Sequence, residues 1–240
     1  MTKIERVPTG VSGLDPLIEG GFPKGRSILV TGEPGTGKTI FSLQFLAEGI
    51  ARGEKGIYVA ADEPPFDIIE QAASMGWDFE KHIENKDLAI LNAGTYLTSL
   101  TVGNKDRQID IHKAIHDLAA FVNRLDAKRL VLDPAGPFVL LRDTAARIQD
   151  QTRLLMKLLR TTMQTTNVLT SYAVPRTGER SMHGIEEYLV AGAIVLEMLW
   201  TERGFMRTLV IEKMRCTDAK PAEHHFEIIK GQGLVIQPLR

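Results

Sequence analysis

The sequence predicts an α/β fold in which a mostly parallel central sheet is flanked by helices and extended by a C-terminal antiparallel β meander. Three observations predict it. Five short apolar runs alternate with helix-period segments between residues 27 and 171, the pattern of successive βαβ units. The turn joining the first run to the first helix is rich in glycine, "GEPGTGKT" at 32–39. After about residue 185 the helical period gives way to strand-like runs separated by tight turns.

The elements follow in order. Residues 27–31 are apolar and β-branched, a buried strand, and Phe41, Leu43, Phe45, Leu46 and Ile50 then recur at helical spacing until Gly53. "GIYVA" (56–60) is a second strand. "PPFDIIEQAASMG" (64–76) opens on prolines and closes on glycine, as a helix does. "LAIL" (88–91) is a third strand. Residues 110–125 place Ile111, Ile115, Leu118, Ala119 and Val122 on one helical face. "RLVLD" (129–133) is a fourth strand, 145–165 a long amphipathic helix and "NVLTS" (167–171) a fifth strand. "AIVLEMLW" and "FMRTLVIEKM" flank the turn "TERG", and "HFEII" and "LVI" flank "KGQG". Polar loops are expected at 92–109 and 172–186, and the length of the second points to a function.

No repeat or linker divides the 240 residues, so residues 1–240 read as a single domain. At 43% hydrophobic and 25% charged, the chain has ample material for a core. The single Cys216 excludes an internal disulfide framework. The N-terminus "MTKIERVPTG" has no signal-peptide run and no stretch approaches a membrane span, so a cytoplasmic protein is expected. A net charge of −1 gives no general attraction to nucleic acid.

Gly32, Glu33, Pro34, Gly35, Thr36, Gly37, Lys38 and Thr39 match G-x-x-x-x-G-K-[ST] in full, between a predicted strand and a predicted helix that continues through Ile40. That context defines a P-loop. Its glycines let backbone N–H groups close around phosphate, and the helix N-terminus adds a favourable dipole. Lys38 reaches the β- and γ-phosphate oxygens of a nucleotide, and the Thr39 hydroxyl is a ligand for Mg²⁺. Asp133, ending an apolar strand, is the second metal-holding residue. Asp62 and Glu63 follow the second strand, at the edge where ligands sit in open α/β sheets. They either polarise the attacking water, Glu63 ahead of Asp62, or cap the helix starting near Pro65. Thr170 and Ser171 end the fifth strand, where a hydroxyl senses γ-phosphate or serves the sheet edge. Adjacent His224 and His225 have no further ligands nearby and read as strand residues.

"LVIEKMRC" (209–216) raises a separate question, because strand alternation puts Leu209, Ile211, Lys213 and Arg215 on one face. Two cations there either blunt a solvated strand edge or meet a negative group.

The stretch "TGVSGLDPLIEGGFPKGRSILVTGEPGTGKT", the acidic pair after the second strand, "SMGWD" (74–78), "HGIEEYLVAGAIVLE" (183–197) and "EKMRCTDAKPAEHHFEI" (212–228) resemble, in order, RecA-like ATPases of the KaiC/RadA group. The resemblance implies a single-domain, Mg²⁺-dependent ATPase forming a homohexameric ring with ATP between neighbouring subunits. It makes Asp62 and Glu63 the catalytic acids, and it makes Lys213 and Arg215 cations that reach a neighbour's γ-phosphate. Asp62 stands where the group usually has glutamate, Ala191 where Asp is frequent and Ala219 where His often follows, which leaves the ribose contacts unassigned. Glu186 and Glu187 occupy the group's phosphorylated Ser-Thr position, so autophosphorylation there is chemically excluded, with kinase activity at other sites left open. The leading expectation is ATP hydrolysis coupled to a conformational or regulatory output, clock-like or signalling, through an unknown protein partner. A nucleotide-gated binding module with little turnover is the alternative. A DNA-binding ATPase is a third reading, with Arg176, Arg180 and His183 as its thin electrostatic basis.

Overall fold

The structure, a computed structural model, describes residues 4–96, 110–138, 145–172, 189–201, 204–220 and 222–237. Arg176, Arg180, His183, Glu186 and Glu187 lie outside the described residues. A small antiparallel pair, β1 (Arg6–Val7) and β2 (Phe22–Pro23), precedes the main sheet. The parallel strands are β3 (Ser27–Gly32), β4 (Gly56–Ala60), β5 (Leu88–Asn92), β6 (Arg129–Asp133), β7 (Thr166–Tyr172) and β8 (Gly192–Thr201). They stand side by side in the order β8-β3-β7-β6-β4-β5. Beyond β8 the meander β9 (Gly204–Met214), β10 (Glu223–Ile229) and β11 (Gly233–Ile236) continues the same sheet antiparallel.

Strand alternation divides the interior into two cores. Ile28, Val30, Tyr58 and Val131 face α1 (Lys38–Ala51), α2 (Pro65–Ser74) and the N-terminal segment. Leu29, Ile57, Val59 and Leu130 face α4 (Ile111–Leu125) and α5 (Ala145–Thr162). Helices on both faces are what near-continuous apolar parallel strands require. Asp110 starts α4 by accepting from the Lys113 N–H at 3.0 Å. Among the described residues no helix is long and apolar enough to cross a membrane.

Three expectations on local structure change. The polar loop expected from residue 92 does not begin there: Asn92 ends β5 and residues 93–96 form a helical turn, while 97–109 lie outside the described residues. The helix predicted to reach residue 165 ends at Thr162, because the Thr166 N–H already donates to the Lys128 carbonyl beside β6 at 3.0 Å. A short helix not anticipated, α3 (Phe79–Glu84), follows Asp78, whose carboxylate accepts from the Lys81 N–H at 3.1 Å. The cap was written in "SMGWD", but six residues are too few to show a period.

A charged residue, Arg129, belongs to the core. Arg129 is 0% exposed at the start of β6 and pairs through Nε with Glu54 at 2.7 Å. Its Nη1 donates to the Pro8 and Phe45 carbonyls, both at 2.8 Å, and the guanidinium lies 4.6 Å above the Phe45 ring. Gly49 makes room for it, since a Cβ there would come within 2.4 Å of Arg129 Cδ. Arg129→Ala deletes the pair, uncovers the charge of Glu54 and removes a donor from the Pro8 and Phe45 carbonyls, so it should cost about 3 kcal/mol. Urea unfolding monitored by circular dichroism measures that loss; a cost below about 1 kcal/mol would make the pair dispensable.

Candidate functional site

The parallel strands end together, and the loops leaving β3, β4 and β6 meet there. Lys38 opens α1 directly after the glycine-rich turn, with Gly37 as its N-cap at φ 109°. Gly35 also has left-handed backbone, φ 83°, so these two positions need glycine. Gly32 needs it for space: a Cβ would lie 2.5 Å from Thr36 Oγ1 and 2.6 Å from the Leu196 carbonyl. The buried Thr36 hydroxyl donates to the Glu33 carbonyl at 2.8 Å and pins the turn.

A cavity of about 380 Å³ opens at this edge. Pro34, Gly35, Gly37, Lys38, Thr39 and Ile40 line it from the loop, and Asp62, Glu63, Asp133, Thr170 and Ser171 face them. Gly32, Glu33 and Thr36 shape the loop without lining the cavity. Lys38 Nζ donates to the carbonyls of Gly32 at 2.8 Å and Glu33 at 3.0 Å. Burial pushes its pKa down, against which the nearby Asp133 carboxylate acts.

Asp133 is held from both oxygens: the Tyr58 phenol donates to Oδ2 and the Thr170 hydroxyl to Oδ1. Burial, then the charge of Asp133, raises the Tyr58 pKa well above its usual value, with the Thr39 hydroxyl opposing in part. A raised phenol pKa keeps Tyr58 protonated and therefore a donor. Tyr58 thus connects Thr39 to Asp133. This arrangement suits Mg²⁺, which takes one or two protein oxygens and completes its shell with water and phosphate. Among the described residues no group of three or more acidic, His or Cys side chains could hold a metal ion instead.

Neither acid of the Asp62–Glu63 pair caps α2: its N-cap is Pro64, with no side-chain cap hydrogen bond. Both are exposed, and Glu63 accepts from Gln71 Nε2 one turn or more into that helix. His224 is buried in β10 and burial lowers its pKa, while His225 is exposed.

Lys213 and Arg215 do not line this cavity. The expectation that they share a face with Leu209 and Ile211 is corrected by a bulge. Ala193 pairs with Lys213 but Ile194 pairs with Ile211, so Ile211 and Met214 both enter the first core. Arg215 stands past the end of β9. Met214 aligns with Gly192, and Gly192 with Ile28 at the start of β3, whereas the phosphate loop follows Gly32 at the other end. Along the strands Arg215 therefore lies roughly 15 Å away from it, and Lys213, level with Leu29 through Ala193, roughly 10 Å. Lys213 Nζ donates to the Val190 carbonyl at 2.8 Å, and Arg215 lines a separate cavity of about 260 Å³.

Two site residues were missed in the sequence. Tyr58 carried a signal, since a phenol within a buried strand needs an acceptor. Arg207 carried none: its Nη2 reaches the Gly35 carbonyl at 3.4 Å only because β9 packs beside β8.

A parallel sheet with a phosphate loop after a central strand, an acid at the end of β6 and two more after β4 defines a P-loop ATPase of the RecA-like class. Residues 7–240 match the family model described as "ATPase: KaiC". The chain belongs to that family, whose members bind and hydrolyse ATP. It is 33% identical over 237 residues to the circadian clock protein KaiC3 of Synechocystis, covering 98% of this chain and 46% of that one. A UPF0273 protein of Methanopyrus kandleri is 31% identical over 241 residues, covering 98% of this chain and 93% of the relative. The crystal structure of a KaiC-like protein from Pyrococcus horikoshii superposes with a TM-score of 0.82 at 33% identity, covering 98% of this chain and all of that one. The chain thus spans about half the length of the clock proteins it matches and nearly all of the UPF0273 relative.

Proposed function

We propose that this protein hydrolyses ATP, with Mg²⁺, at the subunit interfaces of a homohexameric ring, and that turnover drives a conformational change read by a protein partner. The loop N–H groups and the α1 N-terminus hold the phosphates, and Lys38 exchanges the Gly32 and Glu33 carbonyls for β- and γ-phosphate oxygens. Thr39 and Asp133 hold Mg²⁺, which neutralises developing charge on those oxygens. Glu63 orients the attacking water and takes its proton, with Asp62 beside it. Lys213 and Arg215 of a neighbouring subunit meet the γ-phosphate. The division of the cations carries this reading: Lys38 lines the cavity and Lys213 and Arg215 do not, which supports a use for that pair at another subunit's site. The same reading places the protein in the cytoplasm, without a membrane or nucleic-acid partner.

A second reading, a nucleotide-gated module with little turnover, draws on the hydrogen bond that engages Glu63 with Gln71. Mass measurement with and without ATP and Mg²⁺, beside a phosphate-release assay, separates the two. A ring that forms with ATP and releases phosphate well above the Lys38→Ala protein is the expected result. Assembly with release no higher than Lys38→Ala selects the module, and a single-subunit mass under both conditions rejects the ring.

A further inference from the structure

The turn that carries Arg215 is fastened to the opposite end of the sequence. Arg6, on β1, donates through Nη1 to Thr217 Oγ1 at 2.6 Å and through Nη2 to the Cys216 carbonyl at 2.7 Å. The same Nη2 forms an ion pair with Glu19, and the Arg6 side chain is only 14% exposed. Glu19 in turn faces the Asp218 N–H at 3.4 Å. On the other side, the Arg215 N–H donates to the Ala191 carbonyl at 2.7 Å. Backbone on both sides of Arg215 is therefore fixed by partners distant in sequence.

The backbone supplies an independent observation. Four described non-glycine residues have left-handed φ: Glu19, Lys86, Asp126 and Cys216. Glu19 and Asp126 cap helices, and Lys86 follows the cap residue Asn85. Cys216, at φ 61°, ends no helix. Such a conformation persists only where surroundings over-determine it, and such residues gather at functional sites. The Arg6 guanidinium holds the Cys216 carbonyl at 2.7 Å. Arg26 and Arg160 line the cavity beside the turn together with Arg215.

We infer that Arg6, braced by Glu19, is a positioning residue for the cation that Arg215 presents to a neighbouring subunit's γ-phosphate. The inference rests on the trans reading of Arg215 proposed above. Arg6 never touches the nucleotide; its bidentate hold on residues 216 and 217 sets where the Arg215 guanidinium stands when the ring closes. A lysine offers a single point charge and cannot span both acceptors.

Mixed assemblies test it. Arg6→Ala rings should release phosphate about 10- to 100-fold more slowly than wild type, the cost of a misplaced group, with fluorescent-ADP affinity unchanged. Arg6→Lys should recover little of that loss. Mixing Arg6→Ala with Lys38→Ala subunits should restore release, because intact phosphate loops of the former then meet intact turns of the latter. A merely structural role for Arg6 would damage its own subunit's loop and would not be rescued. Arg215→Ala mixed with Lys38→Ala is the control. Rescue of the control without rescue of Arg6→Ala, or wild-type turnover by Arg6→Ala alone, overturns the positioning role and leaves the trans reading intact. Failure of the control removes the trans reading, and the role of Arg6 with it. If Arg6→Ala does not fold, Thr217→Val, which deletes one acceptor, carries the same comparison with the same outcomes.

Discussion

Replacing Glu63 with glutamine should lower phosphate release about 10²- to 10³-fold, within the range that positioned proton acceptors contribute, while ATP binding stays as in the wild type. The two effects separate because different atoms make them. In the proposed reading phosphate binding falls to the loop between Gly32 and Thr39, Lys38 included, none of which changes. Glutamine keeps the shape of the side chain, and its carbonyl oxygen can still accept from Gln71 Nε2 as Glu63 does. Only the charge and the capacity to take a proton are lost. Asp62→Asn is the internal comparison: both acids line the cavity, but the shorter reach of Asp62 makes a loss under about tenfold the expected result. If the ranking reverses, Asp62 is the base and Glu63 the supporting charge. If neither variant slows release, water activation lies elsewhere and the acidic pair only shapes the field around the phosphates.

How much of this was legible in the sequence depends on whether the information is local. The loop from Gly32 to Thr39 is contiguous, and its requirements for backbone freedom, a cation and a hydroxyl are met by adjacent residues, so motif and structure coincide. Asp133 could be read from its place at the end of an apolar run. What it binds could not: Tyr58 and Thr170 come to it from neighbouring strands, and strand order is set by packing of non-adjacent segments. The same holds for Arg207, which reaches Gly35 across 172 residues of chain. The bulge opposite Ala193 and Ile194 is invisible to alternation counting, because one extra residue reverses every face after it. That is why Leu209 and Ile211 enter the core as expected while Lys213 leaves their face. Arg129 shows the reverse failure. Nothing in "RLVLD" itself says that its arginine is buried, yet the carbonyls of Pro8 and Phe45 and the gap at Gly49 receive it.

Arg215→Ala should keep ADP affinity and lose about 10³-fold or more in turnover, the range recorded for arginine fingers. The argument is geometric before it is chemical. Within one subunit, β9 carries Arg215 to the end of the sheet where β3 begins, and the phosphate loop lies where β3 ends. No side-chain motion closes a gap of roughly 15 Å, so a direct effect of Arg215 on hydrolysis must pass between subunits. Charge development on the γ-phosphoryl oxygens is where an added guanidinium helps most, since it binds the transition state more tightly than the ground state. Binding in the ground state is left to the loop, and the variant should therefore show its defect in kcat and not in KM. Lys213 lies in a different position: its ammonium already donates to the Val190 carbonyl, and moving to a phosphate means giving that bond up. Lys213→Ala is accordingly expected to cost less than Arg215→Ala. The decisive arm mixes Arg215→Ala with Lys38→Ala subunits, each inactive alone. At equal proportions, interfaces that join an intact phosphate loop to an intact Arg215 reappear at about a quarter of all positions, as random pairing dictates, and release should recover to that order. Recovery shows one site built from two chains. If the mixture stays silent while both variants still enter the same rings, the cation acts on its own subunit through the fold, and the ring serves some purpose other than completing the site.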